Sequence, residues 1–203
     1  MIPFSNINDL FSCVHEFFIS GYSASSIEFI DKTGYELSSN YLDSFKHIAE
    51  SDGVLWIEME GDNQDLLLEQ ALALEPFIKK FTKAELIVGQ TKAEILKLWT
   101  LRSKIGEAVM KYSSFKDIDI VVPRSKVHQM YSEIASIGKK YDLRYTAFGH
   151  IGDGNFHVNI LYKNKESERE LQIVKDAIKE IFIVAANFGG AISGEHGIGN
   201  FQR

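Results

Sequence analysis

Apolar positions along the chain follow two periods, one near 3.6 and one near 2, and the switches between them mark out the elements. Residues 6–18 (NINDLFSCVHEFF) set Leu10, Phe11, Val14, Phe17 and Phe18 on one helical face, and residues 23–31 (SASSIEFID) read as a strand. A short helix is expected over 40–50, a strand over 53–60, a helix over 63–81 and a strand over 84–89 (AELIVG). Thr91 and Glu94 have the spacing of a capping box, which predicts one long helix over 93–112. A strand over 117–123 stops at Pro123, and a helix over 125–141 turns Val127, Met130, Tyr131 and Ile134 inward. Residues 144–162 are extended on both sides of a glycine-rich centre. A second capping box, Ser167 with Glu170, opens a helix over 168–188 with Leu171, Val174, Ile178 and Phe182 on one face.

The pattern amounts to roughly six helices and about seven strands. The β-α-β rhythm recurs without a residue-level repeat, and no low-complexity tract or Pro/Gly linker divides the chain. Strands separated by single helices, with one hairpin, predict an α+β fold: a mostly antiparallel sheet with helices packed on one face. A doubly wound parallel sheet is the alternative, disfavoured because no glycine-rich loop joins a strand to a helix in the way that fold requires.

The chain has 203 residues, 45% of them hydrophobic, enough for a core in one large domain or two small ones. With 22 basic and 28 acidic residues the net charge is −6. That balance argues against nucleic-acid binding as the main task, which needs a basic surface, and against a polybasic membrane patch. The one cysteine, Cys13, cannot form an internal disulfide, and its place on an amphipathic helix marks it as a structural thiol. The N-terminus lacks the basic and apolar regions of a signal peptide, and no apolar run reaches membrane-spanning length. The expected setting is cytoplasmic, or peripheral to an inner membrane.

Candidate chemistry concentrates in two glycine-rich stretches. In GHIGDGNFH (149–157), Asp153-Gly154 is a strong type I′ turn signal. With those two residues at the tip, His150 opposes His157, and Asn159 shares their side. Directly opposed side chains have Cβ atoms about 4.5–5.5 Å apart, so two imidazoles there can converge on one metal ion. A wider loop would loosen that register, and a polar hairpin with solvated histidines would carry the same residues. The third ligand would be a carboxylate or histidine, and Glu195 and His196 sit in GGAISGEHGIG (189–199). The bland alternative there is a flexible loop after a helix stop at Gly189 and Gly190. Both stretches have the spacing G-x-x-G-x-G, which is not the dinucleotide fingerprint. His15, His47 and His128 lie on predicted helices with no partner nearby in sequence.

GHIGDGNFHVNI and GGAISGEHGIG, together with LWTLRSKIGEAV, DIDIVVPRSKV and SASSIEFIDK, resemble the C-terminal domain of FAD-linked oxidases. This is the family of D-lactate dehydrogenase, the glycolate oxidase FAD subunit and D-2-hydroxyglutarate dehydrogenase. The resemblance covers nearly the whole chain, 1–203. It implies a ferredoxin-like cap that supplies the substrate pocket over a flavin. The FAD-binding domain and a further C-terminal tail would lie outside this chain, which is expected to be inactive alone. By the resemblance, His150, His157 and Glu195 match metal ligands, with zinc the expected divalent metal. His196 matches the proposed base, Asn159 a residue beside the substrate, and Arg102 an arginine that grips the substrate carboxylate. The implied reaction oxidises a D-2-hydroxy acid to the 2-oxo acid, with FAD taking the hydride.

Two departures narrow the substrate. The hydroxyglutarate type has a threonine one turn after the arginine, where this chain has Gly106. It also has a lysine where this chain has Asp117, with Lys116 one residue off. Those residues would serve a second carboxylate, so the expected substrate is closer to D-lactate or glycolate, and Lys116 is kept as a substrate-binding candidate. The partners expected are that small acid and an FAD-binding domain of the same or another chain, with a homodimer left open. The alternatives are a non-enzymatic metal- or carboxylate-binding module, a subunit docking on a separate FAD protein, and a metal-dependent hydrolase.

Overall fold

The computed structural model describes residues 1–39, 48, 50–164, 166–195 and 197. Strand β1 (Ile2–Phe4) leads through helix α1 (Ile7–Ile19) to β2 (Ser26–Asp31), α2 (Lys32–Ser39), β3 (Gly53–Glu58) and α3 (Gln64–Ile78). Helices α4 (Lys92–Ser103) and α5 (Ile105–Tyr112) follow, and then β4 (Ser114–Val121), α6 (Val127–Lys140), β5 (Arg144–Gly149), β6 (Asn155–Tyr162) and α7 (Glu168–Asn187). The six strands form one sheet in the order β1-β3-β2-β5-β6-β4, with every pairing antiparallel. The α+β, antiparallel expectation is met.

The strand order contains a symmetry that residue comparison did not expose. In β1-α1-β2-β3-α3 and again in β4-α6-β5-β6-α7, the third strand lies between the first and second, as in a ferredoxin-like half. The halves join where β2 meets β5, through Phe29 opposite Gly149 and Ile30 opposite Phe148.

Strand alternation sorts side chains onto two faces. On one, Phe29, Leu55, Ala147, Phe156 and Val158 pack under α1, α6 and α7. These helices bury residues at 3.6-residue spacing: Leu10, Phe11, Val14 and Phe17 on α1, and Met130, Ile134 and Ile137 on α6. Each such side chain contributes about 1.5–3 kcal/mol of burial. The expected single helical layer describes this larger core. The opposite face carries helices too: α2, α4 and α5 place Tyr35, Leu98, Leu101, Ile105 and Val109 over Ile30, Val54 and Trp56.

Several local expectations change. Residues 84–89 form no strand; their tie to the sheet is a reciprocal backbone pair between Met1 and Ile87. The helix expected over 40–50 falls largely outside the described residues, and α2 begins earlier, with Asp31 accepting from the Gly34 N–H. The Thr91–Glu94 capping box forms in full, but the helix it opens breaks at Lys104. The weak helix former Gly106 follows that break. At α7, Ser167 caps the Glu170 N–H, while the Glu170 carboxylate accepts instead from the N–H groups of Lys163 and Asn164. No helix among the described residues is long and apolar enough to cross a membrane.

Candidate functional site

The hairpin between β5 and β6 is wider than a two-residue turn. Phe148, not His150, opposes His157. A 3-10 turn over Ile151–Asp153 and Gly154 in the left-handed region, at φ +80°, make up the tip. There the Asn155 N–H donates to the His150 carbonyl at 3.2 Å. Gly154 packs so closely that a Cβ would lie 2.0 Å from the Val122 carbonyl oxygen. The predicted pairing is therefore wrong by two residues. An even shift preserves the face, so His150 and His157 still converge, with ring centroids 5.7 Å apart.

Glu195 reaches the same point by a different route. The 20-residue α7 returns the chain along the sheet, about 30 Å. Ala191 then pairs with Val121 on the free edge of β4, through hydrogen bonds of 2.8 and 3.0 Å. The buried Asp119 carboxylate accepts from the N–H groups of Gly194 (3.1 Å) and Glu195 (2.5 Å), and from Asn155 Nδ2 at 2.6 Å. Gly194 is packed tightly enough that a Cβ would approach Asp119 Oδ1 and Asn155 Nδ2 to 2.6 Å. Glu195 Oε2 ends 3.6 Å from His150 Nε2 and 4.0 Å from His157 Nε2.

One ligand atom from each of these three residues lies within 4.8 Å of the others. Ligands about 2.0–2.1 Å from a tetrahedral ion sit about 3.3 Å apart, so the three side chains would have to draw together, by up to about 1.5 Å, to share one divalent cation. Two imidazoles and one carboxylate are a common donor set for zinc, and three protein ligands leave a coordination position open.

The site lies in a cavity of about 490 Å³ on the sheet face that α4 and α5 only partly cover. Arg102, near the end of α4, enters it with Trp99, while β6 contributes His157 and Asn159. The Arg102 guanidinium stacks 4.9 Å above the Phe148 ring, and Trp99 Nε1 donates to Glu58 at 3.1 Å. Asn159 Nδ2 donates to Asp117 Oδ1 at 3.0 Å. Lys116 is not in the cavity. The period-two alternation of β4 turns it to the face shared with Ile118 and Ile160, and Asp117 lines the pocket in its place. His196 and His47 lie outside the described residues. His128 is taken up elsewhere, against Asn8 Oδ1 at 3.0 Å.

Pattern reading missed Glu28. It is 2% exposed, at the centre of β2, accepts from Arg102 Nε (3.1 Å) and Nη2 (2.9 Å) and Ser26 Oγ (3.0 Å), and shares a 2.5 Å hydrogen bond with His150 Nδ1. The hydrogen bond to Glu28 raises the His150 imidazole above its ordinary pKa against the opposing effect of burial. Burial lowers the Arg102 guanidinium from its ordinary value, against the pull of Glu28. The available signal was one charge among the apolar residues of SIEFI, and the alternating acids of DIDI carried the same message for Asp117 and Asp119.

The family model for FAD linked oxidases, C-terminal domain, matches residues 1–203. The chain is 26% identical over 206 residues to a D-lactate dehydrogenase of Anaerostipes hadrus, covering 98% of this chain and 43% of that protein. It is 28% identical over 202 residues to glycolate oxidase subunit GlcD of Bacillus subtilis, covering 98% of this chain and 42% of that one. A D-2-hydroxyglutarate dehydrogenase of Stutzerimonas stutzeri is 36% identical over 152 residues, 72% of this chain and 32% of the relative. The chain thus spans less than half the length of these relatives. Among solved structures, 4-ethylphenol oxidase from Gulosibacter chungangensis superposes on 94% of this chain and 44% of its own, with TM-score 0.65 at 11% identity, a likeness of fold.

Proposed function

The chain belongs to the family of FAD-linked oxidase C-terminal domains, and from that premise we propose that it is the substrate- and metal-binding part of an FAD-dependent dehydrogenase. The substrate proposed is a small D-2-hydroxy acid of the lactate or glycolate kind, oxidised to the 2-oxo acid. The observation that carries the reading is the convergence of His150, His157 and Glu195 beside Arg102 in one cavity.

The chemistry divides among these residues. His150, His157 and Glu195 hold the divalent cation, zinc first among candidates, and Arg102 binds the substrate carboxylate by charge-assisted hydrogen bonds. Asn159 lies on the same wall and orients the substrate. His196, one residue past Glu195, is the proposed acceptor of the hydroxyl proton. A cation held there would supply acidity to the substrate hydroxyl, and a flavin facing the cavity would supply the hydride acceptor. Asp117 supports a monocarboxylic substrate, because it lines the cavity at the position where the hydroxyglutarate type carries a lysine for a second carboxylate.

Elemental analysis and turnover of the full-length protein test the reading. His150→Ala, His157→Ala and Glu195→Ala should each lower metal content and activity together. His196→Ala should keep the metal and slow turnover. D-lactate or glycolate should be oxidised with a lower KM than D-2-hydroxyglutarate. A wild-type protein that carries no divalent metal, and whose turnover is untouched by chelators, would remove the metal from the mechanism. The 203-residue chain purified alone should show no flavin absorbance, and stoichiometric flavin there would move the domain boundary.

A further inference from the structure

Between the proposed metal ligands and the proposed carboxylate-binding arginine lies a buried carboxylate to which the reading above gives no task. Glu28 Oε1 faces His150 Nδ1 and Ser26 Oγ, and Oε2 faces Nε and Nη2 of Arg102. Glu28 is placed as the acceptor of the Arg102 guanidinium and the Ser26 hydroxyl, and the same placement assigns the proton of the third contact to His150 Nδ1. In the neutral ring the lone pair is then on Nε2, the atom 3.6 Å from Glu195 Oε2. On the other side, Glu28 engages the Nε–Nη2 edge of Arg102 while Phe148 supports the plane of the guanidinium, so Nη1 is the end that Glu28 does not engage in a residue that lines the cavity.

We propose that Glu28 is a positioning residue for both halves of the site, fixing the His150 tautomer through Oε1 and the presented edge of Arg102 through Oε2. The inference rests on the metal and substrate assignment above. A carboxylate that served stability alone would be poorly placed here: its desolvation opposes folding, and well-packed apolar residues often replace buried ion pairs without loss. A carboxylate is the group that can accept at both ends. An amide has one accepting end, so Glu28→Gln must fail on one side. The Arg102 side offers two charge-assisted contacts, so the Gln oxygen should stay there. Its NH2 group then turns toward His150 Nδ1, pushing the imidazole proton to Nε2 and masking the lone pair.

Zinc affinity, by competition with a chromogenic chelator, and KM against kcat for D-lactate are measured on the full-length wild type, Glu28→Gln and Glu28→Ala. Glu28→Gln should bind zinc about 10- to 100-fold more weakly, the usual effect of losing such a partner, with KM moving less. Glu28→Ala should weaken zinc binding and raise KM together. Nitrogen-15 spectra of histidine-labelled, metal-free protein, at a pH well above imidazole titration, should show the Nδ1–H form at His150 in the wild type and its loss in Glu28→Gln. Wild-type zinc affinity and KM in both variants, or an Nε2–H form in the wild type, would overturn the proposal. Should the variants not fold, the wild-type spectrum still decides. Should the wild type bind no zinc, the metal assignment fails by itself, while the spectrum reports separately on the hold of Glu28 over His150.

Discussion

Two buried carboxylates, Glu28 and Asp119, tie the residues of this site together. Glu28 holds His150 and Arg102, and Asp119 holds the backbone of Gly194 and Glu195 and the side chain of Asn155. Asp119 is 1% exposed, so its bonds have no water to replace them. Asp119→Ala removes the acceptor of the buried Asn155 Nδ2 as well as that of the Gly194 and Glu195 N–H groups, and stranding a buried donor costs about 1–3 kcal/mol. Urea denaturation should show a loss of that size. Zinc affinity should fall in the same variant, because Glu195 loses its anchor and His157 loses the carboxylate 3.8 Å from its Nδ1. Unchanged zinc affinity would show that Glu195 is held by something other than this anchor.

At the scale of elements, the site is made where two of them end. The β5–β6 tip sets the two histidines, and the segment after α7 adds Ala191 to the free edge of β4, which carries Glu195 in beside them. Edge strands offer unpaired backbone groups, and this one docks the loop that carries Glu195. Gly194→Ala tests the docking. Its Cβ would sit 2.6 Å from Asp119 Oδ1 and Asn155 Nδ2, so the loop must lift from the edge. Zinc affinity should drop while the helical circular dichroism stays at the wild-type level, since α7 ends before the change. A variant with wild-type affinity would mean the loop reaches the histidines without the β4 edge.

Across the molecule, the two ferredoxin-like halves meet at a short β2–β5 seam, and Asp31 extends it. Its carboxylate accepts from Thr146 Oγ1 (3.0 Å) and the Ala147 N–H (2.8 Å) on β5, and from the Gly34 N–H (2.8 Å). Burial pushes its pKa up to about 7, well above the ordinary carboxylate value, against the pull of those three donors. The folded state therefore holds this proton more tightly than the unfolded chain. The resulting stabilisation is present below about pH 4 and is lost as pH rises to about 7, amounting to a few kcal/mol. The stability of wild type relative to Asp31→Asn should fall over that window in chemical denaturation at a series of pH values. A pH-independent difference between the two would show that Asp31 is ionised throughout.

Hydrophobic periodicity in the sequence determined the amphipathic helices α1, α6 and α7, the antiparallel class and the β5–β6 hairpin, because these depend on neighbours within a few residues. The two glycine-rich stretches likewise marked His150, His157 and Glu195 as the place to look. Register was decided by the tertiary structure: the 3-10 turn at 151–153 and the packing of Gly154 on Val122 widened the loop by two residues, and no local preference encodes that contact. The break after α4, and the second layer of helices that roofs the pocket, also depend on packing between distant segments. So do the roles of charged strand residues. Lys116 and Asp117 are adjacent in sequence, yet the face of β4 that meets the cavity belongs to Asp117. Glu28 is an unremarked letter in SIEFI until β2 is laid beside β5 and α4 is folded over it. Its meaning lies in side chains from sequence positions 102 and 150, and only the folded chain brings those within hydrogen-bonding distance.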